Sequence, residues 1–199
     1  MKYFALLLLL LMITSCSLTP FAPSTSGRSY GAGRLQTEVG NTNSNYHLKL
    51  GFGASDKLDL GFDMEFGAIS TSAIFLKYAI VNNKTGPALG VEFGYGSTES
   101  TKFYYGGVVG SIVFGKQFEV FTNLRLNSVS TDESDIEKDE FNGNIKILAY
   151  DVNYLQATYG FNLYFSDSAG LSLYSTYFKG QDIETLEDNT FGASLIFNM

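Results

Sequence analysis

Between Tyr46 and Phe66 apolar and polar side chains alternate with a period of two on both sides of a short polar break, Ser55-Asp56-Lys57. Before the break, Tyr46, Leu48, Leu50 and Phe52 share one face, opposed by His47, Lys49, Gly51 and Gly53. After it, Leu58, Leu60, Phe62, Met64 and Phe66 share a face, opposed by Asp59, Gly61, Asp63, Glu65 and Gly67. Side chains alternate across a strand, so the pattern predicts a hairpin with one apolar wall and one charged or bare wall.

The same period recurs down the chain, and no stretch shows a helical one. Ten strands are predicted: near Arg34 to Val39, the two limbs of the hairpin, Ser72 to Val81, Ala88 to Gly96, Lys102 to Phe114, Phe118 to Asn127, one ending near Phe165, Leu171 to Lys179, and Phe191 to Asn198. The links after even strands are short: Asn82 to Gly86, Gly115 to Gln117 and Ser166 to Ala169, besides Ser55 to Lys57. Several links after odd strands are longer and more polar, above all Ser130 to Glu140 and Gly180 to Asn189. Phe141 to Asp151 has strand character but no clear turn before the eighth strand. It either extends that strand or adds one, so a count of eight to twelve stays open.

The N-terminus differs from the rest. Lys2 precedes an unbroken apolar run from Phe4 to Ile13, too short to cross a bilayer as a helix, which takes about twenty residues. It reads as an export signal, residues 1–15. Residues 16–32 are rich in Ser, Thr, Pro and Gly, hold two of the chain's three prolines, and read as a flexible, solvated tether. Residues 33–199 form the β domain.

The motif Ile13-Thr14-Ser15-Cys16 resembles the lipobox of bacterial lipoproteins, in which the cysteine is lipidated and becomes the first residue of the mature chain. The resemblance implies lipidation of Cys16, processing by the lipoprotein machinery and, with Ser17 in place of Asp, the outer membrane. The stretch Gly53-Ala54-Ser55-Asp56-Lys57-Leu58-Asp59-Leu60-Gly61-Phe62 is similar to the periplasmic hairpins of small bacterial outer-membrane β-barrel proteins. That resemblance is one of architecture across residues 33–199, and implies assembly by the barrel-assembly machinery. One departure is the C-terminus, where Phe197 is followed by Asn198 and Met199 instead of ending the chain.

Strands of about ten residues suit a tilted crossing of the bilayer. The polar faces carry glycine and charges of both signs: Arg34, Lys49, Lys77 and Arg125 against Glu38, Asp59, Asp63, Glu65, Glu92 and Glu119. Glycine on a soluble exterior has no physical reason, whereas a narrow lumen crowds its side chains. These ten charges are therefore expected inside a closed antiparallel up-and-down transmembrane barrel. Backbone amides in hydrocarbon must all be bonded, which demands closure.

Little chemistry is legible. Cys16 is the only cysteine and His47 the only histidine, which excludes a zinc site built from those residues. Outer-membrane lipid A deacylases and phospholipases resemble this architecture and use a His/Ser pair on the membrane-facing wall; His47 alternates with Tyr46 and Leu48, which puts it on the opposite wall. Acidic residues at Asp132, Glu133, Asp135, Glu137, Asp139 and Glu140, and at Asp182, Glu184, Glu187 and Asp188, lack a fixed cation-ligand order and read as solvated loops. The net charge of −7, which becomes −8 when Lys2 leaves, argues against nucleic-acid partners. No catalytic residue, metal or cofactor is expected. The expected protein is an outer-membrane barrel in contact with outer-membrane lipid, tethered on the periplasmic side, with a structural or surface-interaction role. A narrow pore for small solutes, and a lipid-anchored soluble barrel binding an apolar ligand, are the alternatives.

Overall fold

A computed structural model describes residues 22–42, 45–67, 70–98, 101–132, 134–136, 145–147, 149–180 and 187–199. The signal segment, Cys16, most of the first acidic run and half of the second lie outside these. Among the described residues twelve strands follow in chain order: β1 Leu35–Thr42, β2 Asn45–Gly53, β3 Leu58–Phe66, β4 Thr71–Asn82, β5 Gly86–Ser97, β6 Thr101–Phe114, β7 Phe118–Thr131, β8 Ser134–Ile136, β9 Ile145–Ile147, β10 Tyr150–Tyr164, β11 Ala169–Gly180 and β12 Glu187–Asn198. Ten of them close into one antiparallel barrel in which every strand pairs with its chain neighbours, β7 pairs with β10, and β12 returns to β1. The remaining two, β8 and β9, pair only with each other. The ambiguous stretch 141–151 thus splits: Ile145–Ile147 belongs to this side hairpin, while Tyr150 and Asp151 begin β10.

The short turns after β2, β4, β6 and β10 share one end with the start of β1 and the end of β12; this is the turn rim. The other connections lie at the opposite, loop rim. Of these, the link from β7 to β10 is the long one. The links from β1 to β2, β3 to β4 and β5 to β6 span two to four residues, no longer than the turns, and the longer links expected at this rim are those after β7 and β11.

The alternation decides the faces. On β3, Asp59, Asp63 and Glu65 are fully buried while Leu60 and Phe66 are exposed. The apolar wall therefore points out and the charged wall in. This is the reverse of a soluble barrel, and the interior holds charges in place of an apolar ligand cavity. Outside, Val108, Ile112, Val120, Leu124 and Leu195 lie bare between aromatic groups towards both rims. Tyr46, Phe66, Tyr95, Tyr104 and Phe191 stand near the loop rim, and Phe52, Phe114, Phe165 and Phe197 near the turn rim, with Phe93 and Tyr159 between. On the turn side Phe118 bridges Phe114 and Phe161, with ring centroids 6.1 and 5.8 Å away. An apolar band between aromatic girdles, over a closed sheet with a polar interior, is the build of a membrane-spanning barrel.

Inside, glycines give room to rings. A Cβ on Gly61 would collide with the Phe75 ring, one on Gly94 with Tyr105, and one on Gly192 with Tyr174. Phe75, Phe103, Tyr105, Val129, Val152, Tyr154 and Phe178 form an apolar cluster on one arc of the lumen, drawn from β4, β6, β7, β10 and β11. The glycine-rich inner wall is thus a set of sockets for bulky neighbours.

Candidate functional site

Among the described residues, charged side chains converge in the lumen. Nine of the ten charges expected there are almost completely buried: Glu38, Lys49, Asp59, Asp63, Glu65, Lys77, Glu92, Glu119 and Arg125. Arg34 is not among them. It is exposed and precedes β1, whose first residue is Leu35, so it stands at the turn rim, where no lumen wall encloses it. His47 is buried on the inner wall of β2, against Gly40.

The charges pair across short distances. Lys77 Nζ lies 3.2 Å from Asp59, Lys49 Nζ lies 3.9 Å from Asp63, and Arg125 Nε donates to Glu92. Arg125 and Lys49 do not both turn to the acids of β3; Arg125 is held by Glu92 on β5. Three of these cations also lie on rings: Lys49 over Phe75 at 4.7 Å, Lys77 over Tyr30 at 4.2 Å, and Arg125 over Tyr105 at 4.4 Å. Ring faces attract desolvated cations, so each site combines two favourable contacts.

The second occupant is the described part, residues 22–32, of the segment expected to be a solvated tether; residues 16–21 lie outside the described residues. Residues 22–32 run inside the barrel from mid-lumen to the turn rim, and Ala22, Ser24 and Thr25 are buried to within a few per cent. The correction has a specific physical cause: four hydroxyls meet four carboxylates on four strands. Ser24 Oγ donates to Glu92 (2.5 Å), Thr25 Oγ1 to Glu38 (3.0 Å), Ser26 Oγ to Glu119 (2.7 Å) and Ser29 Oγ to Asp59 (2.6 Å). Arg28 adds a two-nitrogen clamp on Glu119, with Nη2 at 2.9 Å and Nε at 3.3 Å. Charge-assisted bonds of this kind are roughly twice as strong as neutral ones.

The backbone of this plug is satisfied by barrel side chains, as burial requires. Arg125, Asn123, Asn162 and Lys77 donate to the carbonyls of Ala22, Ser24, Thr25 and Arg28. Gly27 N donates to Ser111 and Ser29 N to Asn82. Close approach is permitted by glycine on both sides. A Cβ on Gly51 would enter the Tyr30 ring, one on Gly53 would strike the Gly31 carbonyl, and one on Gly27 would meet the Ala88 and Val109 carbonyls within 3 Å. At the turn rim the chain reverses through Gly31 and Gly33, at φ +92° and +74°, a conformation that side chains with a Cβ resist. Arg34 N then donates to Gly31 O and Gly33 N to Gly53 O, and β1 begins.

Sequence reasoning missed the plug. The signal that could have found it is stoichiometric: six inward carboxylates face three inward cations on the strands, and the surplus acids need donors from elsewhere. Among the described residues no group of three or more His, Cys, Asp or Glu side chains is arranged to hold a metal ion.

No protein-family model matches the chain, and no curated protein sequence does. Solved structures that resemble it are small barrels. The N-terminal β-barrel domain of Pseudomonas aeruginosa OprF is 11% identical, with a TM-score of 0.41 over 85% of this chain and 99% of that one. The KdgM porin in complex with disordered oligogalacturonate is 7% identical, with a TM-score of 0.42 over 82% and 98%. Neisserial surface protein A is 13% identical, with a TM-score of 0.39 over 82% and 95%. Identities and scores this low carry no functional information.

Proposed function

We propose that the chain is an outer-membrane barrel held shut, with a structural or surface-interaction role and no catalytic activity. The observation that supports this is the filled lumen. Residues 22–32 and the pairs Lys77–Asp59, Lys49–Asp63 and Arg125–Glu92 occupy the space through which a solute would pass. Ten strands enclose little more than the eight whose lumen side chains fill unaided, and open aqueous channels belong to about sixteen or more. What is left to meet partners is the loop rim.

Lipidation at Cys16, with the anchor on the periplasmic side, belongs to the same proposal and rests on the Ile13-Thr14-Ser15-Cys16 motif. So does handling by the lipoprotein-processing and barrel-assembly machineries. The test combines fractionation with electrophysiology. The Cys16→Ala chain should stay in the outer-membrane fraction through alkaline extraction and should migrate as a compact, heat-modifiable band. Purified and inserted into planar bilayers, it should be silent. Release into the soluble fraction would defeat the spanning barrel; discrete steps from the intact chain would defeat the shut state. Incorporation of labelled palmitate into the parent chain but not into Cys16→Ala checks the anchor separately.

A further inference from the structure

We propose that residues 22–32 are a displaceable plug, and that the lumen they fill is a latent, cation-selective path. The inference rests on the barrel reading and goes beyond it, because it assigns the shut state to one removable element.

Three features carry it. First, no sheet pairing holds the plug. Residues 22–32 form no strand, and apart from the reversal at Gly31 to Arg34 their bonds to the barrel come from side chains. The plug can therefore leave without breaking one ladder bond of the closed sheet. The groove behind it is floored by Gly51 and Gly53, where a Cβ would collide with Tyr30 and Gly31 of the plug, and by Gly90, where one would lie 3.1 Å from the Gly27 carbonyl oxygen.

Second, the plug carries part of the balancing charge. Among the described residues the inner walls of the strands hold Glu38, Asp59, Asp63, Glu65, Glu92 and Glu119 against Lys49, Lys77 and Arg125. Arg28 is the plug's own cation, 2.9 Å from Glu119. With the plug withdrawn, the wall keeps an excess of three negative charges. Glu38, Glu92, Glu119 and Asp59 each lose a hydroxyl donor in the same step. A narrow path with low-dielectric walls concentrates ions of opposite sign, so the vacated lumen favours cations.

Third, a row of small and polar residues crosses the inner wall from β11 to β2. Ser172 and Ser194 face each other across β11 and β12, Gly40 sits beside Ser194, and His47 sits beside Gly40. The Ser172 hydroxyl, the Thr190 hydroxyl and both His47 ring nitrogens are buried without a protein hydrogen-bond partner. Buried polar atoms of this kind are served by water.

The experiment is planar-bilayer recording of the full chain and of two variants under a KCl gradient. The intact chain should be silent. A chain with Ser24→Ala, Ser26→Ala and Arg28→Ala should show discrete openings, with K⁺ favoured over Cl⁻ several-fold. Adding Glu92→Gln and Glu119→Gln to it should bring that ratio towards one. Silence of the heat-modifiable triple variant, or a Cl⁻ preference, would overturn the proposal while leaving the shut barrel standing. If the triple variant fails to form a compact band, Arg28→Ala alone decides, because Arg28 is part-exposed near the turn rim. Brief openings support the plug, and silence overturns it. Conduction by the intact chain equal to that of the variants would instead refute the shut state.

Discussion

Replacing Glu92 by Met isolates the electrostatic core of the lumen. The carboxylate accepts from Arg125 Nε, from Asn123 Nδ2 at 2.8 Å and from Ser24 Oγ at 2.5 Å, and it is completely buried. Met fills a similar volume but leaves the Arg125 guanidinium, 1% exposed, without its counter-charge. Removing one partner of a buried pair costs about 3–5 kcal/mol, because the survivor is a desolvated, uncompensated charge. Replacing both with Glu92→Met and Arg125→Met removes that charge. It orphans only neutral groups, the Asn123 amide, the Ser24 hydroxyl and the Ala22 carbonyl, for about 1–3 kcal/mol. The double variant should therefore be more stable than the single one. Urea titration of the barrel in vesicles, scored by the heat-modifiable fraction, measures both. A single variant costing under about 1 kcal/mol would mean that Arg125 sees bulk water, as an exposed pair does. A double variant at least as unstable as the single one would refute the pairing itself.

Three further outcomes follow from the same geometry. Leu124→Arg, at the middle of β7 and facing outward, should cost about 2–4 kcal/mol in the same titration, whereas Leu35→Arg at the turn rim should cost about 0–1; equal costs would mean that the outer face does not meet lipid. Gly51→Leu should overlap the Tyr30 ring and lower stability by about 1–3 kcal/mol, the usual penalty of overpacking. Limited proteolysis should then cut near Tyr30, and Tyr30→Ala should restore resistance if the clash is the cause. Lys77→Met should expose the same segment, since its Nζ bonds the carbonyls of Ser26 and Arg28 and faces Asp59. Unchanged protease resistance there would deny Lys77 a part in seating the plug.

The strands were legible because their information is local. A period of two fixes the face of each residue within four or five neighbours, which is why the hairpin from Tyr46 to Phe66 has β3 at Leu58–Phe66 and Lys49 facing Asp63. The burial of Glu38, Asp59 and Glu119 follows from the same parity. Arg34 broke the rule since parity assigns a face only within a strand, and β1 begins one residue later. The plug was illegible for the opposite reason. Ser24, Ser26 and Thr25 find Glu92, Glu119 and Asn162 at separations of 68, 93 and 137 residues, so no window along the chain contains both partners. Taken alone, Ser, Thr, Gly and Pro have the composition of a linker. Short side chains that can follow a narrow lumen and donate to its acids have that composition too. The small hairpin of β8 and β9 was hidden by length, being three residues a side.

The reversal at Gly31 to Gly33 has a consequence for any molecule competing for the lumen. It joins the plug to β1 through a link of a few residues, so the plug is a tethered ligand of its own barrel. Short flexible tethers hold a ligand at an effective concentration on the order of millimolar. A free peptide copying residues 22–32 would have to exceed that level to keep the site, so openings should be brief and self-ending. Lengthening the link with a few Gly and Ser residues after Ala32 would dilute the plug without touching one of its contacts, and open time should then rise with linker length.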